Sequence, residues 1–266
     1  MKTVHTIAEA RAALGQLPGG IGLVPTMGAF HAGHLALIAA ARAENEVVVV
    51  SLFVNPSQFG PQEDLKRYPR DEAADERSAT GAGVDLLFAP SAGEMYPDGF
   101  QTWVEVQDLG ATLEGEARPG HFRGVATVCL KLFNIVQPQR AYFGQKDAQQ
   151  AAVIRRVVRD LDVPLEIRVV PTVRDPDGLA LSSRNVYLSP DERERALALP
   201  RALEAGRQAW RNGADPVAAA CRGLEGLDVD YVSVADLDGP TLAAAVRIGQ
   251  TRLIDNVRLE EEASSS

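Results

Sequence analysis

Cysteine is nearly absent from this chain: only Cys129 and Cys221 occur in 266 residues, without the close spacing of a metal or redox pair. Thiolate metal sites and disulfide scaffolds are not expected, and reduced thiols are the simplest reading. No stretch of 18 apolar residues occurs, so there is no candidate membrane-spanning helix. Lys2 and His5 precede an alanine-rich helical pattern rather than the apolar core of a secretory leader. A soluble, cytoplasmic protein without a membrane partner is the expectation. Positive charge is scarce too, since 27 Lys and Arg stand against 36 Asp and Glu, for a net charge of -9 and a pI near 5.0. That balance argues against nucleic acid as a partner, because phosphate backbones need a basic surface. Small anions remain possible ligands where basic residues gather in a cleft. No Ser-His-Asp or Cys-His arrangement can be defended.

Hydrophobic residues make up 45% of the chain, enough for a proper core in one large domain or a large one with a smaller companion. Histidine is rare, with four in all, and two of the four fall in one short stretch, Val24 to Ile38. There an apolar run, Ile21 to Val24, stops at Pro25, a Gly-containing turn follows, and an Ala- and Leu-rich helix begins. His31 and His34, three apart, share one face of its first turn. Both flank free backbone N–H groups at the positive end of a helix, where a phosphate is best held. Gly28 and Gly33 allow an anion or a purine ring to approach the backbone closely.

Along the chain, Thr6 and Glu9 predict a capping box for a helix to about Leu14, which Pro18-Gly19-Gly20 ends. Val47 to Val54 is an almost unbroken β-branched run, the pattern of a strand buried on both faces of a parallel sheet. Further strands are expected at Val84 to Phe88, Trp103 to Val106, Ala141 to Phe143 and Leu165 to Val170. A charged helix should run through Glu63 to Gly81. An amphipathic helix with Val125, Val128, Cys129, Leu132 and Val136 on one face makes Cys129 a core residue. It is preceded by the basic, glycine-rich run Arg118 to Gly124, to which no role is assigned. Ser189-Pro190 with Glu192 caps a long helix that Pro200 should kink, and Asp215 caps another. Asp230 to Val234 and Arg252 to Val257 read as strands, and Glu260 to Ser266 as a frayed tail. The sum is an α/β protein, with a larger domain over 1–176 and a smaller α/β domain over 177–266.

Polar residues cluster where the strands end. Gln58 lies in the loop Asn55 to Gly60 after the second parallel strand, a position where open α/β sheets meet ligands. Gly144-Gln145-Lys146-Asp147 follows another strand, where a lysine could neutralise a phosphate, with Gln150 one turn on. Leu181-Ser182-Ser183-Arg184 offers two hydroxyls and a guanidinium just after Gly178, suited to holding a triphosphate as charge develops on it. Gly178 is expected to act as a hinge.

Taken in order, these motifs resemble the pantoate-β-alanine ligase (pantothenate synthetase) family of the nucleotidyltransferase superfamily, whose Rossmann-like core is shared with class I aminoacyl-tRNA synthetases. His31-Ala32-Gly33-His34 is similar to its His-x-Gly-His motif, and Leu181 to Arg184 to the counterpart of the synthetase Lys-Met-Ser-Lys-Ser loop. Asn55-Pro56-Ser57-Gln58-Phe59, Arg118 to Gly124 and Phe143 to Asp147 match in the same order. Leu181 stands where many relatives carry Met, an apolar exchange. The resemblance implies ATP-dependent joining of pantoate to β-alanine through a bound pantoyl adenylate, with release of AMP and pyrophosphate. It further implies ATP contacts at Met27, Gly28, Ala29, Phe30, His31, Ala32, Gly33 and His34, at Gly144, Gln145, Lys146 and Asp147, at Val173, and at Leu181, Ser182, Ser183 and Arg184. Catalytic roles fall on His34 as proton donor, His31, Lys146, Ser182 and Arg184. Gln58 and Gln150 would hold pantoate, Mg²⁺ would bridge ATP phosphates with Asp75 as a contact, the smaller domain would act as a lid, and the protein would be a homodimer. A nucleotidylyltransferase acting on a phosphorylated small molecule would share the His-x-Gly-His turn but leave the paired glutamines unexplained. A catalytically silent nucleotide- or RNA-binding module would share only the fold.

Overall fold

The computed structural model describes residues 1–61 and 63–260, so most of the expected frayed tail lies outside the described residues. The chain forms two compact units, one of residues 1–144 and 149–170, the other of residues 145–148 and 171–266.

The first unit is built on a six-stranded, wholly parallel sheet with strand order β1-β4-β3-β2-β5-β6. Its elements are β1 (Lys2–Val4), α1 (Ile7–Leu14), β2 (Ile21–Thr26), α2 (Ala32–Glu44), β3 (Val47–Leu52), α3 (Glu72–Gly81), β4 (Leu86–Phe88), short α4 (Ala92–Met95) and α5 (Glu114–Ala117), α6 (His121–Val136), β5 (Arg140–Gly144), α7 (Ala148–Asp160) and β6 (Glu166–Val170). The two-residue period of a strand sorts its side chains onto two faces. Leu23, Val47, Val49, Leu86, Phe88, Ala141 and Phe143 enter one core with residues of α1, α6 and α7. Their neighbours Val24, Val48, Val50, Leu87 and Tyr142 enter a second core with Leu37, Ile38 and Ala41 of α2 and Ala79 of α3. The nearly continuous apolar runs read from the sequence are thus strands covered on both sides by helices. Cys129, buried in the first core, has its thiol pushed up to about 12 by burial, which keeps it protonated and inert.

The second unit carries an antiparallel sheet of β7 (Asp228–Asp236), β8 (Pro240–Ile248) and β9 (Thr251–Arg258), in that order, with α8 (Pro190–Ala196), α9 (Ala198–Arg211) and α10 (Pro216–Gly223). Leu199, Ala202 and Leu203 of α9, Ala220 of α10 and Leu242, Ala244, Val246 and Leu253 of the sheet share its core.

Several local expectations are corrected. The charged segment is not one helix, because α3 begins at Glu72 behind the Asp71 cap, after an irregular stretch containing Pro69. Trp103 to Val106 alternates between exposed and half-buried residues but pairs with no strand among the described residues; the Val104 amide donates to Thr127 Oγ1 instead. Pro200 kinks nothing: Leu197 separates two helices and Pro200 lies in the first turn of α9, where a missing N–H costs little. β1 and β8 were not expected. β8 contains three consecutive alanines, Ala243 to Ala245, which carry no strand propensity of their own and are buried there by the sheet.

Candidate active site

From β2 the chain lays β3 and then β4 on one side; after α6 it returns to place β5 and β6 on the other. The order reverses between β2 and β5, and in open parallel sheets the crevice outside the carboxyl ends at such a reversal is where ligands bind. The loop after β2 is Met27 to His31. Gly28 adopts φ +87° there, and a Cβ on it would meet Leu52 Cδ1 at 2.6 Å and Asp75 Oδ2 at 2.7 Å. Ala29 also has positive φ, 54°, a strained choice for a residue with a Cβ. Asp75 of α3 holds that conformation: its Oδ2 accepts the Ala29 amide at 2.9 Å and its Oδ1 the Phe30 amide at 2.7 Å.

The start of α2 is capped by histidines in place of the usual hydroxyl and carboxylate. His31 is the N-cap, its Nδ1 accepting the Gly33 amide at 3.1 Å, and His34 Nδ1 accepts the His31 amide at 3.3 Å. Because both Nδ1 atoms accept, the proton of each neutral ring sits on Nε2, and the edge each can offer a phosphate is an N–H donor. The ring centroids are 4.2 Å apart, and Phe30 lies 5.4 Å from His34. The helix dipole and the imidazoles here favour an anion, while the Ala29, Phe30, His31 and Gly33 amides are already taken by Asp75 and the two histidines.

After β3, Asn55 caps a short 3₁₀ turn, Pro56–Gln58. Gln58 is 7% exposed; its Oε1 accepts from Asn55 Nδ2 at 3.1 Å and its Nε2 lies 3.0 Å from Met27 Sδ, which joins this loop to the one after β2. His121 and Arg118 support it from α6 and the turn before it. Burial and the neighbouring Arg118 charge push His121 down to about 4, so it is neutral near pH 7. Gln150, in α7, is half-buried, whereas its neighbour Gln149 is 5% exposed and structural, accepting the Glu114 amide and donating to Leu109 and Thr112 carbonyls.

In the second unit, the 3₁₀ turn Gln145–Asp147 displays Lys146, and Asn256 of β9 fastens it by donating to the Gln145 and Lys146 carbonyls at 2.9 Å each. The Leu181 amide donates to the Val173 carbonyl at 3.0 Å, which brings two expected ATP contacts together. Ser182 caps the 3₁₀ turn Ser183–Tyr187, its Oγ accepting the Arg184 amide at 3.2 Å. Gly178, expected to act as a hinge, lies in the same stretch. Gly178 (φ +95°) sits at the tip of a closed hairpin, with Arg174 bridged to Ala180, the Asp175 amide bonded to the Leu179 carbonyl, and Arg193 clasping both Asp175 and Asp177. Arg174 further forks onto buried Asp255 at 2.6 and 3.0 Å.

Asp75 does not fit the role of a resident magnesium ligand: each of its oxygens already accepts an amide, and the residue is 4% exposed. Among the described residues, no group of three His, Cys, Asp or Glu side chains is arranged for a metal. Asn55, Asn256, Arg118 and His121 are the contributors that residue type and spacing did not single out as site residues.

The pantoate-beta-alanine ligase family profile matches residues 2–258. A pantothenate synthetase of Roseiflexus castenholzii is 55% identical, covering 98% of this chain and 100% of its own, and one of Moorella thermoacetica is 54% identical over 98% and 99%. Among solved structures, the pantothenate synthetase of Thermus thermophilus is 51% identical with a TM-score of 0.93, covering 98% of this chain and 100% of its own. The pantoate-beta-alanine ligase of Francisella tularensis, crystallised with β,γ-ATP and β-alanine, is 37% identical with a TM-score of 0.86 over 99% and 100%.

Proposed function

The chain belongs to the pantoate-β-alanine ligase family, and from that premise we propose how its own residues carry out the ATP-dependent joining of pantoate and β-alanine to pantothenate. A carboxylate is a poor acylating agent, so a pantoate carboxylate oxygen attacks the α-phosphorus of ATP and pyrophosphate leaves. The β-alanine amine then attacks the acyl carbon of the pantoyl adenylate, AMP leaves with the bonding pair, and the amine nitrogen gives up a proton. Neither step needs an enzyme nucleophile. The protein's part is positioning and charge neutralisation.

The observation that carries this reading is the histidine-capped start of α2 outside the carboxyl end of β2. His31 and His34 offer Nε2–H donors to the triphosphate, and the turn Met27 to Gly33 lies against ATP. Gln58 and Gln150 bind pantoate. Lys146 with Ser182, Ser183 and Arg184 neutralises the departing pyrophosphate, while Gly144, Gln145, Asp147, Val173 and Leu181 complete the ATP contacts. Magnesium accompanying ATP would offset phosphate charge, and Asp75 serves the loop. The role of a lid falls to the second unit. No described helix is long and apolar enough to cross a membrane; a cytoplasmic homodimer completes the proposal, read by cell fractionation and sedimentation equilibrium. The test of the central reading is ATP–pyrophosphate exchange. It should require pantoate and not β-alanine; exchange indifferent to pantoate would overturn it.

A further inference from the structure

The run Arg118 to Gly124 is the one sequence motif left without work in the chemistry above, and it lies against the loop that carries Gln58. His121, at the start of α6, donates from Nδ1 to the Gln58 carbonyl at 2.9 Å. Its Nε2 therefore accepts, and Arg118 supplies the N–H at 3.1 Å. Arg118 reaches the same carbonyl at 3.4 Å and forks onto Glu63, from Nε to Oε1 at 2.9 Å and from the second terminal nitrogen to Oε2 at 2.6 Å; Glu114 lies 3.9 Å away. One turn along α6, Gly124 touches the loop: a Cβ there would collide with the Ser57 carbonyl oxygen and come within 2.7 Å of the Gln58 amide nitrogen. The Gly124 carbonyl accepts from Asn55 Nδ2 at 3.2 Å, the group that also donates to Gln58 Oε1.

The loop's own backbone bonds are weak by comparison, Gln58 to Asn55 at 3.4 Å and Phe59 to Pro56 at 3.3 Å. Asn55 braces it from within, its Oδ1 accepting from the Ser57 amide and hydroxyl, and α6 with the turn before it supplies the rest. A largely buried Arg–Glu pair with a neutral histidine is a poor device for stability alone, since desolvation consumes most of its attraction, but it fixes geometry well.

We propose that Arg118, His121 and Gly124 are positioning residues for pantoate, which clamp the Ser57–Gln58 main chain so that the Gln58 amide is presented at a fixed place and angle. This inference rests on the reading that Gln58 binds pantoate. The three act through Gln58 and touch no reacting atom.

The test is a mutant cycle on the intact enzyme, read as KM for pantoate and for ATP, with thermal melts to confirm folding. His121→Ala should raise KM for pantoate about tenfold, the worth of one well-placed hydrogen bond, with ATP changed less than about twofold. His121→Asn, whose amide can replace the Nδ1–H donor, should recover most of the loss. Arg118→Lys, which keeps the charge and loses the fork, should show the same bias toward pantoate. In a Gln58→Ala background, adding His121→Ala should change KM for pantoate less than about twofold, because the effect travels through a side chain already removed. Equal rises for both substrates, or full additivity with Gln58→Ala, would overturn the proposal. If Gln58→Ala impairs pantoate while His121→Ala and Arg118→Lys behave as wild type, the positioning inference alone fails. If Gln58→Ala itself leaves pantoate untouched, the assignment of Gln58 fails, and this inference with it.

Discussion

His31 and His34 form a reciprocal cap, each ring accepting a backbone amide through Nδ1 with the centroids 4.2 Å apart. The same two side chains thus finish a helix and offer donors to a phosphate, and the two duties can be separated by substitution. His31→Asn places a strong N-cap residue at the first position, and His34→Gln a capping-box residue at the third helical position. Both variants should melt within a few degrees of wild type, yet lose about 10²–10⁴-fold in pantoate-dependent pyrophosphate exchange, the usual worth of a positioned donor or acid. Exchange at the wild-type rate in a folded His31→Asn enzyme would reduce the pair to a helix cap.

Asp75 ties down a loop that contains two positive-φ residues in succession, Gly28 and Ala29. Asp75→Asn removes the charge and turns one acceptor into a donor facing an amide. A loss of about 1–3 kcal/mol in stability is expected, the cost of a buried polar partner left unmatched. KM for ATP should rise, while the magnesium concentration for half-maximal activity stays put. A large change in that magnesium dependence would restore the carboxylate as a cation contact.

Lys146 and Arg184 are assigned to the pyrophosphate, so their loss should fall on the first half-reaction. Lys146→Ala and Arg184→Ala are each expected to lower exchange by about 10²–10³-fold, as removal of a charge-stabilising group does. Because both act on one developing charge, the double variant should lose less than the sum of the two free energies. Supplied with synthetic pantoyl adenylate and β-alanine, both variants should recover most of their activity. An equally severe defect from the adenylate would move these residues to the second step.

His121 gives a pH signature of its own. Its folded value is pushed below the ordinary 6.5 to about 4, first by burial and then by Arg118, while Glu114 and Glu63 face it with the opposite effect. The unfolded chain therefore binds a proton that the folded chain refuses as pH falls from 6.5 toward 4, and stability is lost in that window. The full contribution is about 3 kcal/mol, because each tenfold drop in proton affinity on folding is worth about 1.4 kcal/mol. Burial raises Glu63, but the Arg118 bond and charge outweigh it and hold the carboxyl below its usual range. Chemical denaturation at pH 7, 6, 5 and 4 should show His121→Asn with a shallower decline than wild type; parallel curves would remove His121 as the source.

The features legible in the sequence were those whose cause is local. The apolar run of β2, the β-branched run of β3 and the caps at Thr6, Ser189 and Asp215 are set by residues within a few positions of one another, and each formed, although β2 continues through Pro25 and Ser189 caps a shorter helix than expected. The histidine pair could be placed at a helix start for the same reason. The structure decided what depends on residues far apart. Asp75 meets Ala29 across 46 positions and His121 meets Gln58 across 63, and no periodicity reports such a pairing. Ala243 to Ala245 form a strand only because β7 and β9 flank them, and Trp103 to Val106 fails to pair although its alternation suits a strand. Hydrophobic period and capping chemistry are written along the chain, one turn or one pleat at a time. Which distant donor meets which acceptor follows from the strand order β1-β4-β3-β2-β5-β6 and the packing of helices on it, and exists only once the chain has folded.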